Sequence, residues 1–286
     1  MSSSTPVLEH DWLGASRAAA AALAEILMSA ATRAERVAET GTRGEGGDRT
    51  LVIDADAEAA VFAQLDALHA GGARFTAISE ERGEVDYGTA GAPPLVVIDP
   101  IDGSTNAKRG LPHHALSIAV ADGPTMGDVT FAYVYDYGPG EEWHAYRGGG
   151  AFLDGVAIGD PPGERHSSDG RLELVAIESA RPEYLAGAEP ALSQHVHRLR
   201  AIGSIAVSLC QLADTRVDGM VALWRTRAVD AAAAQLIVRE SGGVVAFDLS
   251  PQADPLAAPL ADPDARLHLV AARTPESLAR LAELPI

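Results

Sequence analysis

"VVIDPIDGSTN", residues 96–106, runs an apolar segment directly into two aspartates three residues apart, then a glycine and two hydroxyls. Val96, Val97 and Ile98 have the β-branched bulk of a strand buried on both faces. Asp99 and Asp102 end that strand. Two carboxylates this close repel unless positive charge lies between them, so the stretch asks for a cation. A hard divalent ion such as magnesium takes oxygen ligands in octahedral array, usually a few carboxylates with water and substrate phosphate. Asp99, Asp102 and the carbonyl of Ile101 offer three such oxygens. Gly103 permits close backbone approach, and Ser104, Thr105 and Asn106 have the composition of a helix start, whose free N–H groups suit phosphate oxygens. An aspartate-rich turn that only caps a helix shares the core of this pattern. The weight therefore rests on the whole octet "DPIDGSTN" following a buried strand.

The remaining composition bounds the answer. A chain of 286 residues, 47% hydrophobic and 22% charged, is long enough for one large or two ordinary domains with a substantial core. With 22 basic against 40 acidic residues the net charge is -18, which disfavours nucleic acid and anionic membrane as main partners. Cys210 is the single cysteine and cannot pair within the chain, which fits a reducing compartment. Its apolar neighbours describe a buried thiol rather than a nucleophile. The opening "MSSSTPVLEHDW" lacks the positive start of a secretory signal, and no apolar run reaches the length of a membrane span. A cytoplasmic location is the expectation.

Outward from the octet, helical spacing of alanine and leucine predicts one long helix over about Val7 to Glu39, stopped by the loop "TGTRGEGGDR", a candidate lid. A short strand "TLVID", a helix from about Ala55 to His69, a strand "RFTAI" and the acidic turn "SEERGE" follow. Beyond the octet, "HALSIAVA", "DVTFAYVYD" and "EEWHAYRGGGAFLDG" alternate β-branched and aromatic residues between turn signals. This half reads as α+β, two helices on an antiparallel sheet, over residues 1–158. Residues 159–170, "GDPPGERHSSDG", read as a linker. From 171 to 286 strands alternate with helices, the latter over Pro190 to His197, Ser204 to Ala213 and Val229 to Ser241, which implies an α/β sheet covered on both sides. The stretch "ADPLAAPLADPDA" reads as a surface loop.

The octet resembles the signature of the inositol monophosphatase family, the magnesium-dependent, lithium-sensitive phosphomonoesterases. Further stretches match in that family's order. "ISEERGE" is similar to its acidic pair, and "GDRTLVIDADAEAAV" to a segment where an aspartate opens a helix. "AIGSIAVSLCQLADTRVDGMVAL" resembles the stretch that runs into the substrate pocket, and "AVDAAAAQLIVRESGGVV" the helix that brings the last metal-binding aspartate. The resemblance implies a layered αβαβα sandwich of α/β and α+β halves with the site in the cleft between them. It implies two or three Mg2+ ions held by Glu80, Asp99, the Ile101 carbonyl, Asp102 and Asp230, with Asp56 near a further metal position. Ser104, where the family usually has threonine, would activate the attacking water together with Glu80. Gly103, Ser104 and Thr105 would hold phosphate, while Asp102, Gly203 and Ser204 would face the substrate. A homodimer hydrolysing a small phosphate monoester, inositol 1-phosphate by default, completes the expectation.

Two departures stand out. Val229 occupies the position where the family commonly has tryptophan, and the loop "ALWRTRAVD" lacks the glutamate that inositol-specific members use on substrate hydroxyls. Arg225 and Arg227 in that loop suit a second phosphate or a carboxylate better than a neutral polyol. That widens the candidates to fructose 1,6-bisphosphate, histidinol phosphate, a nucleotide or a specialised-metabolite intermediate. Ordinary alternatives exist for each residue: Asp230 could serve as a helix N-cap, Glu80 as a solvated turn, and Asp54 and Glu58 stand close to Asp56. "TLVIDADAE" also resembles the first motif of haloacid-dehalogenase phosphatases, but that reading leaves "SEERGE" and the octet unexplained. A regulatory protein that keeps the fold without turnover is the rival of another class.

Overall fold

An apolar stripe recurring at helical spacing builds the first helix, α1 (Trp12–Ser29), which buries Trp12, Ser16, Ala19, Ala20, Leu23 and Leu27 on one side. The computed structural model describes residues 9–29, 39–43, 49–159, 163–250, 252–262 and 265–285. The predicted extension of α1 toward Glu39 falls largely outside them. Where a lid-like loop is expected, β1 (Glu39–Arg43) and β2 (Arg49–Leu51) pair as an antiparallel ribbon; residues 44–48 lie outside the described set. The "TLVID" segment is not a strand through to Asp54, because helix α2 (Val52–Ala70) already begins at Val52. A short apolar run with no clear period is ambiguous between the two states, and Asp54 in the first turn favours the helix.

The larger sheet has eight strands: β3 (Thr76–Ser79), β4 (Gly83–Asp86), β5 (Leu95–Asp102), β6 (Ala115–Ala121), β7 (Val129–Asp136), β8 (Glu141–Tyr146), β9 (Gly150–Leu153) and β10 (Val156–Ala157). Their order is β10-β9-β8-β7-β6-β5-β3-β4, antiparallel except for the parallel β3–β5 pair. Every residue of β5 is buried. Its alternation is visible in what each face meets: Val96 and Ile98 join the core shared with α1 and α2, whereas Leu95 and Val97 join the core on the opposite side.

The smaller sheet combines β11 (Leu172–Glu178), β12 (Val196–Arg200), β13 (Gly219–Ala222), β14 (Val244–Ala246) and β15 (Val270–Ala272) in the order β12-β11-β13-β15-β14. Six-residue helix α3 (Ser104–Arg109) follows β5 directly. Helix α4 (Pro182–His195) starts well before Pro190, with Pro182 in its first turn and Pro190 inside it. Helices α5 (Ile205–Ala213) and α6 (Ala228–Glu240) lie between the two sheets, and α7 (Pro275–Leu281) covers the smaller sheet with α4.

These elements stack as a layered αβαβα sandwich. Helix α6 shows why the middle layer holds: Ala231, Ala232, Ala233, Ala234, Leu236, Ile237 and Val238 are all buried, the apolar girdle of a helix with protein on every side. Small alanines on α6 meet Ala115, Ala119 and Ala121 of β6 in one core, letting helix and sheet approach closely. The chain passes from the larger sheet to the smaller between β10 and β11, the segment read as a linker. The "ADPLAAPLADPDA" stretch is exposed in part but buries Leu260, and Pro259 bridges to Thr125. No helix among the described residues is long and apolar enough to cross a membrane.

Candidate active site

In a regular strand, residues three apart point to opposite faces. Asp99 and Asp102 nevertheless line the same cleft, of about 740 Å³. The cause is a bulge: Asp99 pairs with Ser117 and Asp102 with Ala115, so β5 carries one more residue than β6 over this stretch. Pro100, which has no N–H to donate, falls within it. The Ile101 N–H turns back to Asp99 Oδ1 at 3.0 Å.

Asp102 is anchored from the start of α5, in the layer between the two sheets. Its Oδ2 accepts from Ser204 Oγ at 2.6 Å and from the Ala206 N–H at 2.6 Å. Ser204 also caps that helix by accepting from the Val207 N–H. Next to this anchor the two halves touch at glycines. Gly103 has φ of 85°, and a Cβ there would lie 2.9 Å from the Gly203 carbonyl oxygen and 3.0 Å from that of His113. Asn106 closes the seam by donating from Nδ2 to the His113 and Ile202 carbonyls.

Glu80 reaches the cleft from the β3–β4 turn. That turn is held by Glu58, which accepts from Ser79 Oγ and from the Arg82 N–H and Nε. Asp230 enters from the first turn of α6. Between them lies Arg227, whose Nη1 is 2.6 Å from Glu80 Oε1 and whose Nη2 is 3.2 Å from Asp230 Oδ1; its main-chain N–H also donates to Asp230 Oδ2. Burial opposes the charge on Arg227, but Asp230 and Glu80 outweigh it and hold the guanidinium firmly protonated. Burial pushes the Asp99 carboxyl well above the usual range, with the charges of Glu80, Asp102 and Asp230 adding to the effect and Arg227 opposing it. Asp102 is raised by burial and by Asp230, against its bonds from Ser204 and Ala206.

Glu80, Asp99, Ile101, Asp102, Gly103, Ser104, Thr105, Gly203, Arg227 and Asp230 therefore surround one cleft, with Ser204 bonded to its wall. Two expected residues do not join them. Asp56 is exposed on α2 and does not line the cleft; Asp54, two positions earlier, is buried, lines the adjoining small cavity and pairs with Lys108 Nζ at 3.5 Å. Because the helix begins at Val52, residues two apart face different sides, and only Asp54 turns inward. Arg225 donates instead to the Arg266 carbonyl at 3.2 Å and lines a separate hollow with Phe247, Asp248 and His268.

Glu178 and Arg181 also line the cleft and were not expected there. Glu178 ends the apolar strand β11 much as Asp99 ends its apolar run, a signal available in "LVAIE". Buried, it accepts from the Ile202 and Gly203 N–H groups and from Ser208 Oγ at 2.6 Å, and burial raises its carboxyl to about 7. Cys210 is fully buried, and burial pushes its thiol up, as expected of an inert one.

Among the described residues no three carboxylate, imidazole or thiol groups converge as a ready-made ion cage, and Arg227 stands between two of the acids. The donor chemistry nonetheless fits a hard cation. All the converging donors are oxygens, three of the carboxylates, Asp99, Asp102 and Asp230, are buried, and their mutual repulsion is the kind that a divalent ion relieves.

Known proteins resemble this chain over most of its length. The model of the inositol monophosphatase family matches residues 8–283. A fructose-1,6-bisphosphatase/inositol-1-monophosphatase of Methanothermobacter thermautotrophicus is 32% identical over 242 residues, covering 80% of each chain. The Nus factor SuhB of Escherichia coli is 34% identical over 198 residues, covering 68% of this chain and 69% of that one. Among solved structures, a hypothetical protein from Pyrococcus horikoshii with similarities to inositol-1 monophosphatase superposes with a TM-score of 0.74 at 23% identity, over 96% of this chain and 98% of that one. With octet, acidic turn and α6 aspartate gathered at one cleft and the family pattern running through nearly the whole chain, this protein belongs to the inositol monophosphatase family.

Proposed function

We propose that the protein is a magnesium-dependent phosphatase that hydrolyses a small phosphate monoester by in-line attack of water. The observation that carries this reading is the convergence of Asp99, Asp102, Glu80 and Asp230 on one cleft beside the start of α3. Those carboxylates and the Ile101 carbonyl would hold two or three Mg2+ ions. Bound there, magnesium supplies an acidified water and neutralises charge on the leaving alkoxide.

The chain's own residues do the rest. Glu80, fixed by the Glu58-anchored turn, accepts the proton of the attacking water, and Ser104 Oγ orients that water. Gly103, Ser104 and Thr105 present N–H groups to the phosphate oxygens. Ser204 and Ala206 both bind Oδ2 of Asp102, which leaves Oδ1 as its oxygen for a cation. Arg227 restrains Glu80 and Asp230 relative to one another.

Inositol 1-phosphate is the default substrate, and the printed name of the Methanothermobacter relative supports fructose 1,6-bisphosphate as another. A cytoplasmic homodimer is the form this reading takes. The test is phosphate release from inositol 1-phosphate, fructose 1,6-bisphosphate, histidinol phosphate and adenosine monophosphate, with magnesium or with EDTA, using Asp99→Asn as the blank. Release that requires magnesium and disappears in the blank supports the reading. Release that persists in either control overturns it, and metal binding with no release from any ester favours a purely binding role.

A further inference from the structure

A cleft of about 740 Å³ is far larger than a phosphate group needs, so its rim must read the alcohol half of the ester. On the smaller-sheet side, the wall after β11 is Ser179, Ala180 and Arg181. The Arg181 guanidinium lies 5.8 Å from the centre of the Tyr184 ring, one turn into α4. Tyr184 in turn stacks on Trp224, which follows β13, with ring centres 4.7 Å apart and planes within 3°. Trp224 is 55% exposed even though Tyr184 covers one of its faces, so its exposure is that of the other face and the edge.

We infer that Arg181, Tyr184 and Trp224 form a subsite at the cleft rim that takes a flat aromatic or heteroaromatic group on the alcohol side of the phosphate ester. The inference rests on the phosphatase reading for the placement of the phosphate. Its chemistry is independent of that placement. A polyol needs several hydrogen-bonding partners, and the segment Ala222–Trp224, joined to the cleft wall through Tyr184 and Arg181, offers no acid or amide side chain. An aromatic pair capped by a guanidinium offers a π-face and a positive charge instead. The plane-parallel stack fixes the indole in one orientation, so little freedom is lost when a second ring settles against it. Arg225 does not compete for the same ligand, since its side chain is engaged at the Arg266 carbonyl.

The test compares benzylphosphonate with cyclohexylmethylphosphonate, which match in size and charge but differ in flatness. Neither has a hydrolysable ester bond, so binding is read by calorimetry in magnesium whether or not the protein turns over esters. Trp12 and Trp143 are buried, so acrylamide quenching of the intrinsic fluorescence reports on Trp224. The wild type should bind the benzyl compound about fivefold to tenfold more tightly, the size of one aromatic contact, and that compound should shield Trp224 from acrylamide. The ratio should collapse toward one in Trp224→Ala and survive in Trp224→Phe. A ratio near one in the wild type, a ratio unmoved by Trp224→Ala, or no binding of either compound overturns the subsite. So does conversion of a dimer to a monomer in Trp224→Ala with the ratio intact, which assigns the indole to a second copy of the chain. A full phosphonate preference without hydrolysis of any monoester removes the phosphatase reading and leaves the subsite standing.

Discussion

Glu80 has its place on the turn imposed from behind. The Glu58 carboxylate grips Ser79 and Arg82 on either side of it, and the Arg82 guanidinium rests 4.3 Å from the centre of the Phe62 ring. Glu80→Gln keeps the shape of the side chain and its place on this turn while removing the proton acceptor. It should lower kcat by about a hundredfold or more and leave the thermal unfolding temperature in magnesium nearly unchanged. Stopped phosphate assays alongside circular-dichroism melts check both halves, and near-normal kcat would remove Glu80 from the mechanism. Single residues were also where reading from the sequence went astray. Asp56 and Asp54 are indistinguishable as letters. Which one faces the cleft depends on whether the helix begins at Val52 or Ala55, and an apolar run as short as "TLVI" carries no period to decide it. Arg225 and Arg227 pose the same problem in a loop, where no period exists and only the folded path separates them.

At the scale of elements, the octet was legible because its requirements are local: a buried strand, an abrupt pair of charges, a glycine and a helix start. The β5 bulge was not, since register belongs to a pair of strands and Ala115 and Ser117 lie beyond the motif. Helix α4 was started late because Gly187 and Pro190 look like interruptions, yet Leu192 and Ala188 bury a stripe that carries the helix through them. The contact between the β5–α3 corner and the loop before α5 makes a sharp prediction. Gly103→Ala places a methyl against two carbonyl oxygens at a positive φ, so it should cost about 1–3 kcal/mol in urea unfolding and also reduce activity by displacing Asp102. Gly72, with positive φ but open space around it, is the control: Gly72→Ala should cost less and spare activity.

For the molecule as a whole, the site is held together against its own charge. Asp99, Asp102 and Glu178 all have carboxyls raised by burial in the fold, Glu178 to about 7. A raised carboxyl means the folded state binds more protons than the unfolded one. Its stabilising contribution is therefore complete below the ordinary carboxylate range and is lost as pH climbs through the folded value. In EDTA the urea midpoint should fall between about pH 5 and pH 7.5. Magnesium should cancel the part owed to Asp99 and Asp102, and Glu178→Gln should remove the part owed to Glu178. A midpoint in EDTA that rises over this interval would contradict the assignment. The alternation of helical and strand periods made the α+β and α/β halves legible, whereas the five-layer stacking was implied by the family resemblance. What could not be foreseen is that α6 belongs to both sheets at once.

That shared helix governs how the chain must be made. The inner face of the larger sheet, with Leu95, Val97, Val134 and Trp143, is complete in sequence by the end of β10, yet the helix that covers it is translated only after β11, β12 and β13. A nascent chain emerging from the ribosome thus displays a broad apolar surface until residues 228–240 arrive, and exposed surface of this kind invites aggregation during synthesis.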